Sequence, residues 1–298
     1  MKRSRLVLRS LMFVPGHNER LLEKASKSKA DALIFDVEDS VMPAANKQIA
    51  RECIRNTVAT GMFNNYSVFP RINDRQSGHM LKDVQALTID GVQGFVYPKA
   101  TQGEDIYFFD KLLETVEYEK GYSPGTFKII PLIETAAAVL NAQDICLSSE
   151  RVVAVAYGCE DFIADLEGIH DHEGVSLYVP RAMIAMAARA AGVIPIDTVH
   201  IHVHDLGHLE ENVKLAKILG FEGMLVLHPK ELDIVHRYFT PTEHEVKKAE
   251  EMLHLAKEAE KMNKGVALLN GKFVGPPMVL AAEHLVNRAS LIMQKEIR

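Results

Sequence analysis

FKIIPLIET, residues 127–135, decides how the rest of this chain is read. Its apolar residues do not alternate with polar ones; they run on, and the run stops at Glu134. A strand with one wet face alternates, whereas a strand buried on both faces is apolar throughout, as in a parallel sheet covered by helices. Seven further runs share the pattern: SLMFVP (10–15), ALIFDVED (32–39), SVFPRIN (67–73), GFVYPKA (94–100), RVVAVAYG (151–158), DTVHIHVHD (197–205) and GMLVLHP (223–229). Between them lie stretches of helical period, such as NERLLEKASK (18–27) and EENVKLAKILG (210–220). Eight strand–helix units in series predict an α/β fold, a (β/α)8 TIM barrel over residues 1–238. A doubly wound open sheet is the competing arrangement of the same units. From Phe239 the pattern changes. TPTEHEVKKAEEMLHLAKEAEKM (240–262) is a charged amphipathic helix with Thr240 or Thr242 as its cap, and a tail interrupted by Gly and Pro follows. Residues 239–298 therefore read as a C-terminal helical extension.

The 298 residues, 47 % hydrophobic and 25 % charged, have the balance of a globular protein. A formal charge of -6 argues against a general nucleic-acid binder. The basic start MKRSRLVLRSLMFVPG lacks a cleavage site, and no apolar run approaches the roughly 20 residues that span a bilayer. Cys53, Cys146 and Cys159 show no paired spacing, which suggests neither a disulfide framework nor a CxxC metal site. A cytoplasmic protein with no membrane partner is expected.

In a barrel the active site gathers at the C-terminal ends of the strands. Those ends supply Glu38 and Asp39, Arg71 and Asn73, Lys99, Glu134, Glu160 and Asp161, His204 and Asp205, and His228. Charged groups ending apolar strands are costly to bury unless they are paired or bind something. Asp39 and Thr135 are also candidates to cap the next helices. Glu134 and Asp161 end neighbouring strands; a pair of carboxylates suits Mg²⁺ with water and substrate, or acid–base work, and the pair alone does not choose. Arg71 offers a planar fork for a carboxylate or a developing oxyanion, or an ion pair with Glu38.

The stretches LRSLMFVPGHNERLLEKA, DALIFDVEDSV, FPRIND, YPKA, IIPLIET, AYGCEDFIADLEG, IDTV and LGFEGMLVLHPKEL resemble, in order and spacing, the citrate lyase β-subunit-like group of the HpcH/HpaI aldolase superfamily. The resemblance implies a (β/α)8 barrel assembled as a homotrimer, with the C-terminal segment reaching a neighbouring subunit. It implies Mg²⁺ held by Glu134 and Asp161, substrate contact by Arg71, and support of the metal site by Glu38 and Asp39. It also implies a small-molecule substrate, a hydroxy-acid thioester of CoA or an acyl carrier, with nucleotide contacts near Arg9, Arg20, His228 and Pro229. The implied reaction is a retro-Claisen cleavage to acetyl-CoA or propionyl-CoA and a 2-oxo acid, with Arg71, Glu38 and His204 as catalytic candidates and Arg71, Glu134, Lys99, Arg9 and His228 as substrate contacts. A class II aldolase acting on a non-CoA acid and a catalytically idle relative are the rival functions.

Three departures stand against the pattern. Gly275, in GKFVGPP (271–277), replaces an aspartate that serves as acid or base in the malyl-CoA-lyase-like relatives. Glu231, in HPKE, replaces a glutamine and either repels a nucleotide or points to solvent. His202 stands where many relatives have an aspartate, within HIHVHDLGH (200–208). On a strand, His200, His202 and His204 share one face and Val199, Ile201 and Val203 the other. Three roles are open for these histidines: interior packing, proton transfer at the mouth by His204, and a zinc site lacking a third ligand.

Overall fold

The computed structural model describes residues 6–261, 267–269 and 272–297. The basic residues 1–5 and Gly271 of the GKFVGPP turn lie outside the described residues. The chain divides after His236 into a barrel and a C-terminal unit.

The barrel strands are β1 (Ser10–Pro15), β2 (Ala32–Asp36), β3 (Ser67–Val68), β4 (Gly94–Tyr97), β5 (Lys128–Ile133), β6 (Ala154–Tyr157), β7 (Ile194–Asp197) and β8 (Gly223–Val226). They pair in parallel in the order β3-β2-β1-β8-β7-β6-β5-β4. The two ends of that order meet. Gln93 N donates to Val68 O and Val96 N to Pro70 O, both at 2.9 Å, and Ile72 N donates to Val96 O at 3.3 Å. The sheet thus closes on itself, and the open-sheet alternative falls. Every residue of β2, β4, β6, β7 and β8 is buried, which is why these runs read as apolar throughout.

Pro70 has no N–H to give and shortens β3, but the backbone beyond it stays paired. Arg71 N donates to Phe35 O and Val37 N to Arg71 O, each at 3.0 Å, which sets Arg71 level with Asp36. Two glycines let neighbouring strands approach. A Cβ on Gly94 would lie 2.1 Å from Lys128 O, and one on Gly223 only 1.8 Å from Leu8 O.

One expected strand is displaced: β7 spans Ile194–Asp197 and shares only Asp197 with the predicted run 197–205. β7 ends at Asp197, so His200, His202 and His204 lie in the loop that follows and share no strand face. β6, which pairs Ala156 with Ile196, ends one residue later, at Tyr157, and leaves no backbone for 199–204 to pair with on that side. The loop instead closes a turn from Asp205 N to His202 O (2.7 Å), and the Asp205 side chain caps the helix Leu206–Leu219.

In the C-terminal unit, Thr242 begins the helix Glu243–Lys261 with a reciprocal cap: Glu245 N donates to Thr242 Oγ1, and Thr242 N to Glu245 Oε2. A short antiparallel pair, Ala267–Leu269 with Lys272–Val274, was not expected from the sequence. Gly275 then opens the helix Pro276–Glu296. Ala259 and Val274 pack with Met252, Leu255 and Val279.

Candidate active site at the mouth of the barrel

The C-terminal ends of the strands enclose a cavity of about 340 Å³, lined on its apolar side by Phe13, Leu132 and Leu225 and on its polar side by Asp36, Arg71, Glu134 and Asp161 among others. Arg71 organises the polar side. Its Nε and Nη2 donate to the two oxygens of Asp36, each at 2.7 Å. Nη1 pairs with Glu38 at 2.9 Å and Asp39 at 3.3 Å. Two of the five guanidinium N–H groups thus go to Asp36, and Nη1 is shared between the other two acids, which leaves an N–H on Nη2 for a ligand. Phe13 lies against the guanidinium, 5.0 Å from its ring centre. Burial works against the Arg71 charge, but the three carboxylates outweigh it and push its pKa up. Burial likewise raises Asp36, yet Arg71 wins and holds that carboxyl below the usual range.

Glu38 and Glu134 are different. Burial pushes Glu38 up to about 7, with Asp39 adding to the rise and Arg71 and Lys99 opposing it. Lys99 Nζ sits 3.1 Å from Glu38, yet neither Glu38 oxygen receives a well-directed hydrogen bond among the described residues, so both keep acceptor capacity. Burial, then the charges of Glu38 and Asp161, push Glu134 up to about 8. Its one opposing hydrogen bond comes from the backbone: Lys99 N donates to Glu134 Oε1 at 2.6 Å. Lys99 adopts a left-handed φ of 54° to do so, a conformation that non-glycine residues seldom hold. Gly158 lets the β6 turn pass over Glu134, since a Cβ there would meet the glutamate's Cβ and Oε2 at 2.9 Å. Asp161 follows on the first turn of the helix Cys159–Leu166, one turn past the strand rather than at its end. That helix is tied to the β7 loop by Cys159 N donating to Thr198 Oγ1 at 3.1 Å.

Glu134 is thus a buried carboxyl crowded by the charges of Glu38 and Asp161, and its hard oxygens, with few protein donors, are of the kind that a divalent cation takes. Glu134 and Asp161 both line the cavity and are the acids that could hold such an ion.

The other expected residues fare unequally. Arg9 is corrected: it precedes β1, at the end of the barrel opposite the mouth, and is buried against Asp31 with bonds of 2.8 and 3.0 Å. His204 is exposed on the β7 loop and does not line the cavity. His228 follows β8, where its Nδ1 accepts from Lys230 N at 3.1 Å. Glu231 neither faces solvent nor lies open to a nucleotide. It is fully buried, its oxygens accepting from His228 N (3.0 Å) and Leu227 N (3.4 Å), and burial pushes it up to about 7. Thr135 caps its helix as expected; Asp39 caps none and faces Arg71. Asp36, the main partner of Arg71, escaped the sequence reading, although it lies two residues before Glu38 and so on the same side of an extended chain.

A closed parallel barrel with buried acids, an arginine and a lysine at the C-terminal mouth defines a TIM-barrel enzyme class with a metal-ready site. Residues 9–229 match the HpcH/HpaI aldolase/citrate lyase family, and the chain belongs to it. It is similar to the citrate lyase subunit beta of Haemophilus influenzae, 30 % identical over 97 % of this chain and 99 % of that one. It is also similar to the human mitochondrial citramalyl-CoA lyase, 29 % identical over 96 % of this chain and 87 % of that one. Among solved structures it resembles the CitE protein of Mycobacterium tuberculosis in complex with magnesium, acetoacetate and coenzyme A, with a TM-score of 0.75, 25 % identity, and 96 % of this chain and 100 % of that one covered.

Proposed function

We propose that the protein is a Mg²⁺-dependent carbon–carbon lyase that cleaves a hydroxy-acyl-CoA thioester to acetyl-CoA or propionyl-CoA and a 2-oxo acid. The observation that carries this is Glu134, a buried carboxyl raised to about 8 between two further acids and facing a cavity with Arg71 in its wall. The relatives named above are lyases of citrate and citramalyl-CoA, and a magnesium complex with coenzyme A is known for the M. tuberculosis protein. Bound Mg²⁺ would be held by Glu134 and Asp161 and would supply Lewis-acid charge to the oxygens of the hydroxy acid.

The chain's own residues do the rest. Glu38, raised to about 7, takes the hydroxyl proton as the carbon–carbon bond breaks. The electron pair of that bond moves onto the α-carbon of the thioester, whose enolate oxygen faces the Arg71 guanidinium. Return of the proton held by Glu38 to that carbon completes the thioester product and restores the Glu38 carboxylate. A cavity of about 340 Å³ lies at the small end of ligand pockets and suits the acid half of the substrate. Lys99 and His228 flank the mouth as substrate contacts, and a homotrimer is the assembly we propose. Gly275 favours a second reading, metal and metabolite binding without turnover, because glycine carries no proton.

The deciding assay follows thioester cleavage of malyl-, methylmalyl-, citramalyl- and citryl-CoA with Mg²⁺ and with EDTA. Metal-dependent product from one ester is expected. Silence across the panel, with Mg²⁺ still bound, overturns the CoA-thioester lyase and leaves the aldolase acting on a non-CoA acid or the idle relative.

A further inference from the structure

Besides the mouth carboxylates, the β7 loop gathers imidazoles from two chain segments. His172, Asp205 and His208 bring ligand atoms within 4.8 Å of one another. We propose that they form a second metal site, for a zinc-class transition-metal dication, distinct from the site at Glu134 and Asp161.

The state of His208 is the strongest observation. Its Nε2 lies 3.0 Å from the His172 carbonyl oxygen, which only accepts, so the proton sits on Nε2; the Asn212 amide is farther, at 3.3 Å. That leaves Nδ1 as a bare lone pair, and Nδ1 is shut from solvent with no hydrogen-bond partner among the described residues. Metal-bound histidines characteristically donate their other N–H to a carbonyl or carboxylate, which orients the ring. Asp205 is held in the same way. One carboxylate oxygen accepts from His208 N at 3.0 Å, and His200 Nε2 donates to the Asp205 carbonyl at 3.0 Å, keeping the loop in place. The positive end of the helix Leu206–Leu219 opposes a cation, and the Asp205 charge offsets it.

His172 is stacked on His208, with ring centres 4.2 Å apart and planes at 15°. A metal lies in the plane of each imidazole it binds, so His172 must turn out of the stack. Being exposed, it has room to turn. Two imidazoles and one carboxylate suit Zn²⁺ and its neighbours better than Mg²⁺, which prefers oxygen and water. Three protein ligands leave the fourth position to water, and the ion joins the loop before the helix Val175–Ala191 to the β7 loop.

The test uses the full chain without a histidine tag, saturated with Mg²⁺ and titrated with Co²⁺ as a coloured substitute for Zn²⁺. One equivalent should bind with the intense visible bands of low-coordinate Co²⁺, and Zn²⁺ should abolish them. His208→Ala and, separately, the exposed His172→Ala should each weaken binding at least tenfold, while the double variant Glu134→Gln, Asp161→Asn leaves the bands intact. The proposal fails if wild type shows no such bands, if both histidine variants bind Co²⁺ as wild type does, or if the bands vanish only in the carboxylate variant.

Discussion

Glu134 shows how one residue couples metal, proton and fold. Its carboxyl is raised from 4.5 to about 8, so between those values the native apo protein holds a proton that the unfolded chain has released. Stability falls with rising pH wherever the native state binds more protons, so the apo fold weakens as pH climbs through this window. Mg²⁺ binds the deprotonated carboxylate and reverses the effect. The melting-temperature gain from saturating Mg²⁺ should therefore be larger near pH 8 than near pH 6; an equal gain at both would remove Glu134 from the metal site. Glu134→Gln should weaken Mg²⁺ binding more than about 100-fold by calorimetry without lowering the melting temperature of the apo protein near pH 7, because the amide is a neutral isostere of the protonated carboxyl and its oxygen can still accept from Lys99 N. Undiminished affinity would refute the assignment. Arg71 behaves in the opposite way. Its fork is engaged by Asp36, Glu38 and Asp39, so Arg71→Ala should cost about 3–5 kcal/mol in denaturant unfolding, beyond any loss of activity. The sequence placed Arg71, Glu38 and Glu134 at strand ends. It did not reveal that Asp36 would be Arg71's bidentate partner, because which acid an arginine meets depends on register between β2 and the chain after β3.

At the scale of elements, the strands were legible wherever burial on both faces made them apolar, and the reading failed where alternation imitated a strand. HIHVH has the period of an extended chain, yet after Asp197 no neighbouring strand continues on the β6 side to pair with it. Period alone does not report whether a partner exists. His204 therefore belongs to an exposed turn, and His204→Ala should change stability by no more than about 0.5 kcal/mol and leave turnover unchanged. A several-fold loss of turnover would return it to the mechanism. Gly223 sits at the other extreme. With Leu8 O 1.8 Å from where its Cβ would be, Gly223→Ala must push β8 off the chain entering β1, and a loss of about 2–4 kcal/mol is expected. A variant as stable as wild type would show that the barrel yields there at no cost. Glu231 belongs to this scale as well. The sequence left it either repelling a nucleotide or pointing to solvent, but both its oxygens close the turn after β8. Only the bonded geometry distinguishes a capping carboxylate from a repelling one.

For the molecule as a whole, the resemblance implies an acid–base aspartate where this chain has Gly275. Gly275 holds φ −100° and ψ 173°, an extended conformation that any residue adopts, at the start of the helix Pro276–Glu296. Nothing in its backbone demands glycine, and aspartate is a favoured residue at that position. Gly275→Asp should raise the rate of thioester cleavage at some cost in melting temperature, because the position is buried; a folded variant with no gain would mean that an aspartate there is not what limits this chain. What the sequence by itself determined was the class of molecule: a series of largely apolar parallel strands alternating with helices, and the polar residues that follow them. Those follow from local rules, because solvent exclusion on both faces writes itself into every residue of a strand. What only the tertiary structure decided was partnership. Arg9 turned from the mouth to Asp31, Asp36 took the fork of Arg71, and the histidines left the strand for a loop where His172 joins them. Each outcome rests on which side chains from distant segments come within hydrogen-bond reach, and that distance exists only once the barrel has closed.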